Sequence, residues 1–168
     1  MTREYATEEQ ILESIVERLR DKIDEWSGDS VMLTDHPQPL KVPPSDTFCT
    51  VSAGDGTFPP EMFQGGGDLT CTEVCNIIVA PYSQHDLDSI DSLEHALLKA
   101  ERGVLSRYKR QILKMLLKDW EPTYNGNELL RSMMRPAYST KPEVLTVPGG
   151  MSFVTISLVF EVEFDWEL

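Results

Sequence analysis

Apolar and polar residues alternate through the stretch from Met151 to Leu168. Val154, Ile156, Leu158, Phe160, Val162, Phe164 and Trp166 occupy every second position, with Thr155, Ser157, Glu161, Glu163 and Asp165 among the residues between them. A period of two predicts a β-strand with one buried face and one wet, acidic face. At about 3.3 Å per residue the run would reach roughly 45 Å. A helical period appears near the other end of the chain. Ile11, Leu12, Ile15, Val16, Leu19, Ile23 and Trp26 follow a Thr7–Gln10 capping-box pattern, with Glu13, Glu17, Arg18 and Asp21 on the opposite side. This spacing predicts an amphipathic helix from Thr7 to Trp26, stopped by Gly28.

The middle of the chain is punctuated by proline and glycine. Pro37, Pro39, Pro43 and Pro44 predict an extended connection. A short strand is expected from Phe48 to Ser52. Residues 53–69 carry Gly54, Gly56, Pro59, Pro60 and the run Gly65-Gly66-Gly67, which predicts a long flexible loop. Thr70 to Ala80 reads as a second strand and Pro81 to Ile90 as a turn-rich connection. A helix is predicted from about Asp91 to Trp120, with Leu93, Leu97, Ala100, Val104, Tyr108, Ile112 and Met115 on its apolar side. Asn127 to Met134 reads as a short helix, and residues 136–150 as a connection. The order predicts an α+β fold, a mainly antiparallel sheet with helices packed on one face, as one domain over residues 1–168.

Charge adds a second pattern. The chain has 168 residues and a net charge of −13, which argues against specific nucleic-acid binding. Yet the stretch Lys99 to Lys118 holds seven of the fifteen basic residues and one acid, Glu101. Lys99, Arg102, Arg107, Arg110 and Lys114 fall on one side of the predicted helix. A basic stripe on an acidic protein suits contact with an acidic surface, including that of another copy; it is equally read as a solvated helix face. No apolar run reaches membrane-spanning length and no signal-peptide pattern opens the sequence, so a protein made inside the cell is expected.

Candidate chemistry is sparse. Cys71 and Cys75 on a strand would face the same side about 13 Å apart, too far to share a metal or a disulfide. On a helix or turn they could do so, with His85 as a further ligand. The three cysteines, Cys49, Cys71 and Cys75, are otherwise read as structural. The glycine runs lack the Lys-Ser/Thr or following helix that a phosphate loop needs. Glu161, Glu163 and Asp165 form an acidic ladder whose simplest role is to blunt an edge or interface. No catalytic residue, cofactor or metal site is expected.

The opening helix, the strand Asp46-Thr47-Phe48-Cys49-Thr50-Val51, the strand Val74 to Val79, the central helix with Ile112-Leu113-Lys114-Met115-Leu116-Leu117, and the terminal Phe160-Glu161-Val162-Glu163-Phe164-Asp165-Trp166 set out a layout. In this layout the chain resembles the neck and tail-terminator proteins of tailed bacteriophages. The resemblance implies a non-enzymatic virion subunit, assembled in the host cytoplasm into a ring, commonly a hexamer. Such a ring ends the tail tube and joins it to the head-proximal connector, with a sheath as a further neighbour where the tail contracts. The expected interface residues are Lys99, Arg102, Arg107, Arg110 and Lys114 of the stripe, Glu161, Glu163 and Asp165 of the ladder, and Phe58 and Phe63 in the 53–69 loop. A soluble acidic adaptor or DNA mimic bound to a basic partner is the alternative from another class. A small enzyme using His85 or the cysteines is a third.

Overall fold

Thr7 starts the first helix as the sequence predicts. Its hydroxyl accepts from Gln10 N at 3.2 Å, and the Gln10 side chain accepts from Thr7 N at 2.9 Å. This reciprocal cap satisfies two of the free donors at a helix start. Helix α1 (Glu8–Lys22) buries Ile11, Leu12, Ile15, Val16 and Leu19. The chain then tightens into two short 3-10 turns, with Trp26 buried in the first, and enters strand β1 (Val31–Leu33). The computed structural model describes residues 7–35, 46–60, 63–64, 70–84, 103–146 and 152–167.

The remaining strands are β2 (Thr47–Thr57), β3 (Phe63–Gln64), β4 (Thr70–Gln84), β5 (Thr123–Tyr124), β6 (Asn127–Glu128), β7 (Arg135–Ser139), β8 (Glu143–Thr146), β9 (Ser152–Thr155) and β10 (Leu158–Glu167). Helix α2 (Val104–Leu117) lies between β4 and β5. The main sheet runs β1-β2-β4-β10-β7, with β9 continuing beside β4 and β8 outside β9. Only the β1–β2 pair is parallel among the described strands. Both described helices pack on one face of this sheet, so the fold is α+β.

Strand β4, fifteen residues long, is the spine. Its alternation sends Cys75, Ile77 and Val79 to the helices, opposite Val162, Phe160 and Leu158 of β10. Ile11, Ile15 and Leu19 of α1 and Leu105, Tyr108, Ile112 and Leu116 of α2 complete this core. The alternating face predicted for the last strand is therefore the buried one. The other face of the sheet is not uniformly wet. Phe48, Ala80, Tyr82 and Phe153 form a second, smaller buried cluster there. Phe48 stacks on its cross-strand partner Tyr82 at 4.6 Å and meets the edge of Phe153 at 5.1 Å. Such pairs add stabilisation beyond the area they bury.

The first helix ends at Lys22, short of the expected Trp26 and Gly28, and four further sequence expectations change. Residues 53–57, expected in the long loop, continue β2, and Phe63–Gln64 pair with Thr70–Cys71. A register shift between Ala53 and Gly56 leaves Gly54 and Asp55 opposite the single residue Asn76 as a bulge, and Gly56 pairs with Cys75. Pro81 does not end its strand. It lies opposite the break between β9 and β10, where the ladder is interrupted and a missing N–H is tolerated. The short helix expected over 127–134 is instead the second arm of a β5–β6 hairpin and the segment after it. Asn125 and Gly126 both take positive φ, 51° and 78°, as a two-residue turn of mirror-image type requires. Finally, residues 136–139 and 143–146, expected as connection, lie in the strands outside β10 and β9.

Candidate interaction surfaces

Helix α2 offers a basic side, but fewer free charges than its sequence implies. Lys99 and Arg102 lie outside the described residues. Arg107 is already answered: its guanidinium is 3.4 Å from Glu25 and lies over the Tyr108 ring at 5.3 Å. Tyr108 Oη donates to the same Glu25 carboxylate at 2.5 Å. Burial, then this hydrogen bond, push the Tyr108 phenol above its ordinary range. Arg110 and Lys114 are exposed, as are Lys109 and Lys118. A cleft of about 330 Å³ beside the helix extends this basic side to Lys141, and Lys109 Nζ reaches across it to Ser139 Oγ at 3.0 Å.

The acidic ladder is in large part neutralised within the chain. Arg135 binds both Glu161 and Glu163, and Ser132 Oγ donates to Glu163 at 3.1 Å. Asp165 accepts from Thr72 Oγ1 at 2.6 Å and lies 3.6 Å from Arg131 Nη1. The Glu163 and Asp165 side chains are only 14% and 13% exposed. A partner would have to displace Arg131 and Arg135 to use this surface. The ladder thus serves first to fix the segment 131–135 against β10, which the expectation of an intermolecular acidic face did not foresee. The two arginines lie about thirty residues away in sequence, and only the sheet register brings them there.

The freest acidic surface is on α1. Glu9, Glu13, Glu17 and Asp21 recur every fourth residue and are all exposed. The four-residue spacing was visible in the sequence. At the end of β2, Phe58 stands 59% exposed. Phe63 is placed by its backbone in β3, paired with Cys71.

The sheet register also builds a cluster that the sequence reading passed over. Glu73 lies between Cys71 and Cys75 on the core-facing side of β4, and α1 begins above it. Ligand atoms of Glu8, Glu73 and Cys75 all lie within 4.8 Å of one another. Glu73 is 8% exposed and its Oε2 accepts from Trp166 Nε1 at 2.6 Å. Burial, then the nearby Glu8 and Glu73 carboxylates, push the Cys75 thiol up to about 12. Burial, then Glu73, raise the Glu8 carboxyl as well. The thiol is therefore held protonated at neutral pH, and a cation would bind only by displacing that proton. All three cysteines are free, with Cys49 and Cys75 buried, and the strand register places Cys71 and Cys75 on the same side as predicted.

No protein-family model matches the chain, and no curated protein matches it. No described helix is long and apolar enough to cross a membrane.

Proposed function

We propose that the chain is a structural subunit of the neck of a tailed bacteriophage. In this reading it forms a ring, commonly of six copies, that ends the tail tube and joins it to the head-proximal connector. The layout of helix, antiparallel sheet and strongly alternating last strand supports it. The observation that carries it is the exposed end of β2. Beyond its bulge the strand runs out through Gly56 and Thr57, both exposed, to an exposed Phe58. A large aromatic at the end of an extended strand supplies rigid contact area to a neighbour. The tail tube, the adjoining neck protein and the next copy in the ring are the partners this reading names. The net acidic charge suits a ring through which DNA passes without adhering.

Co-sedimentation with assembled tail tubes tests this reading. Wild-type protein is expected to pellet with tubes. Phe58→Asp is expected to fold with unchanged melting and to stay in solution. Wild-type protein that associates with no tail or neck component contradicts the assignment.

One observation favours a second reading, a soluble acidic adaptor or DNA mimic. The α1 carboxylates recur about every 6 Å along the helix, given its 1.5 Å rise per residue. Such a row could engage a basic DNA-handling protein. Binding of such a protein, lost on reversing Glu13 and Glu17, would favour this reading over the neck.

A further inference from the structure

The exposed sides of the two helices carry rows of opposite sign. Glu9, Glu13, Glu17 and Asp21 line α1, while Arg110 and Lys114 line α2, with Lys118 just past its end. Residues four apart are neighbours on a helix surface, and like charges at that spacing oppose helix formation. Among the described residues little offsets this. Asp21 has Lys22 at 3.1 Å. Among the described residues no ion pair reaches Glu9, Glu13, Glu17, Arg110, Lys114 or Lys118.

The helices lie side by side and antiparallel. Arg18 Nε donates to Met115 O at 3.0 Å and its guanidinium lies over Trp120, whereas Glu25, further along, meets Arg107 and Tyr108. Both bury their apolar sides in the same core, so both charged rows point away from the sheet. Packed helices are separated by about 8–10 Å. Two rows this close leave no room for two separate globular partners.

We propose that this helical face pairs with the same face of a second copy, about a two-fold axis running along the groove between α1 and α2. Rotation about that axis exchanges the two sides of the face. Rotation of this kind keeps each residue at its level along the helices, so Glu17 and Asp21 of each copy meet Lys118 and Lys114 of the other, and the meeting ends of both rows are answered by one partner. Association of this kind closes at two copies. It draws on charge complementarity, which sets orientation and excludes like-on-like pairing. The inference does not depend on the neck reading. Contacts between neighbours in a ring would use other surfaces, among them the Phe58 end of β2.

A charge-swap experiment tests it. Glu17→Lys/Asp21→Lys makes the meeting ends of both rows basic, and Lys114→Glu/Lys118→Glu makes them both acidic. Sedimentation equilibrium is run on wild type, on each variant alone, and on an equimolar mixture, with helicity and melting temperature recorded for each. Wild type is expected at twice the chain mass of 19.0 kDa. Each variant alone is expected to be monomeric, its self-association weakened at least tenfold. The mixture is expected to restore a one-to-one pair. Both variants remain net acidic, so overall charge cannot produce that pair, and its formation shows that both are folded. A monomeric wild type, variants that self-associate as well as wild type, or a mixture that stays monomeric would overturn the proposal. Species larger than two copies that are lost in both charge variants would overturn its two-fold geometry, whereas a ring held by other surfaces would persist in them. None of these outcomes bears on tube binding, so the neck reading stands or falls separately.

Discussion

Glu73 fills the space that a side chain on Gly56 would need. A β-carbon built on Gly56 would overlap Glu73 Oε1 and lie 3.0 Å from its Cδ. The carboxylate cannot simply swing away, because its other oxygen accepts from Trp166 Nε1. The glycine, the buried carboxylate and the last strand are thus one unit. Gly56→Ala should cost about 1–3 kcal/mol, the range for leaving a buried polar group without its partner. Thermal unfolding measures the loss, and Trp166 fluorescence should report a changed indole environment. Unchanged melting would show that Glu73 has another place to go.

The cysteines differ in reactivity for a physical reason. Burial pushes the thiols of Cys49 and Cys75 well above the ordinary range. The thiolate is the reactive form. Native protein treated with iodoacetamide near neutral pH should therefore take up at most one adduct per chain, at the half-buried Cys71. Unfolded protein should take up three. Mass spectrometry before and after denaturation checks this, and rapid native labelling of Cys75 would contradict the packing around Glu8 and Glu73.

Glu8 gives a pH dependence with a definite sign. Its carboxyl is raised from the ordinary 4.5 by burial and by Glu73. A group whose folded pKa is raised contributes stability below its unfolded pKa and loses it as pH rises through the folded value. Glu8→Gln removes that titration. Relative to wild type, the variant should gain stability as pH rises from below 4.5 toward neutrality. Melting temperatures across that range provide the measurement; parallel curves for the two proteins would contradict it.

Arg135 bridges Glu161 and Glu163. Replacing it with methionine leaves two like charges on one strand face without their shared cation. The pairs are partly exposed, so the loss should be about 1 kcal/mol or less and should shrink as salt rises. Urea unfolding at low and high salt resolves it. A loss independent of salt would assign Arg135 a packing role instead.

Local pattern made some of this fold legible. The Thr7–Gln10 cap and the spacing of Ile11, Ile15 and Leu19 place α1, and the alternation from Val154 to Trp166 places the face of β10 that meets the helices. What was misread depends on partners distant in sequence. Gly54 and Gly56 read as loop, yet Gly54 lies in a bulge of β2 and Gly56 pairs with Cys75, where Glu73 takes the room a side chain would need. Pro81 read as a strand end, yet the break at Ile156–Ser157 on the neighbouring strand accommodates it. Asn125-Gly126 did carry a local hairpin signal, overshadowed by the apolar residues that follow. The ladder of Glu161, Glu163 and Asp165 was legible as a row of charges, but its cations, Arg131 and Arg135, are supplied by register. The acidic row on α1 was present in the four-residue spacing of Glu9, Glu13, Glu17 and Asp21, and only exposure distinguishes it as a surface.

On the proposed function, this chain caps a tail tube. The most direct measurement is electron microscopy of tube protein polymerising with and without it. Tubes should stop at limited length and carry a closed ring of this protein at one end, and Phe58→Asp should leave them uncapped. Tubes that grow to the same length with bare ends in the presence of folded wild-type protein would contradict the assignment.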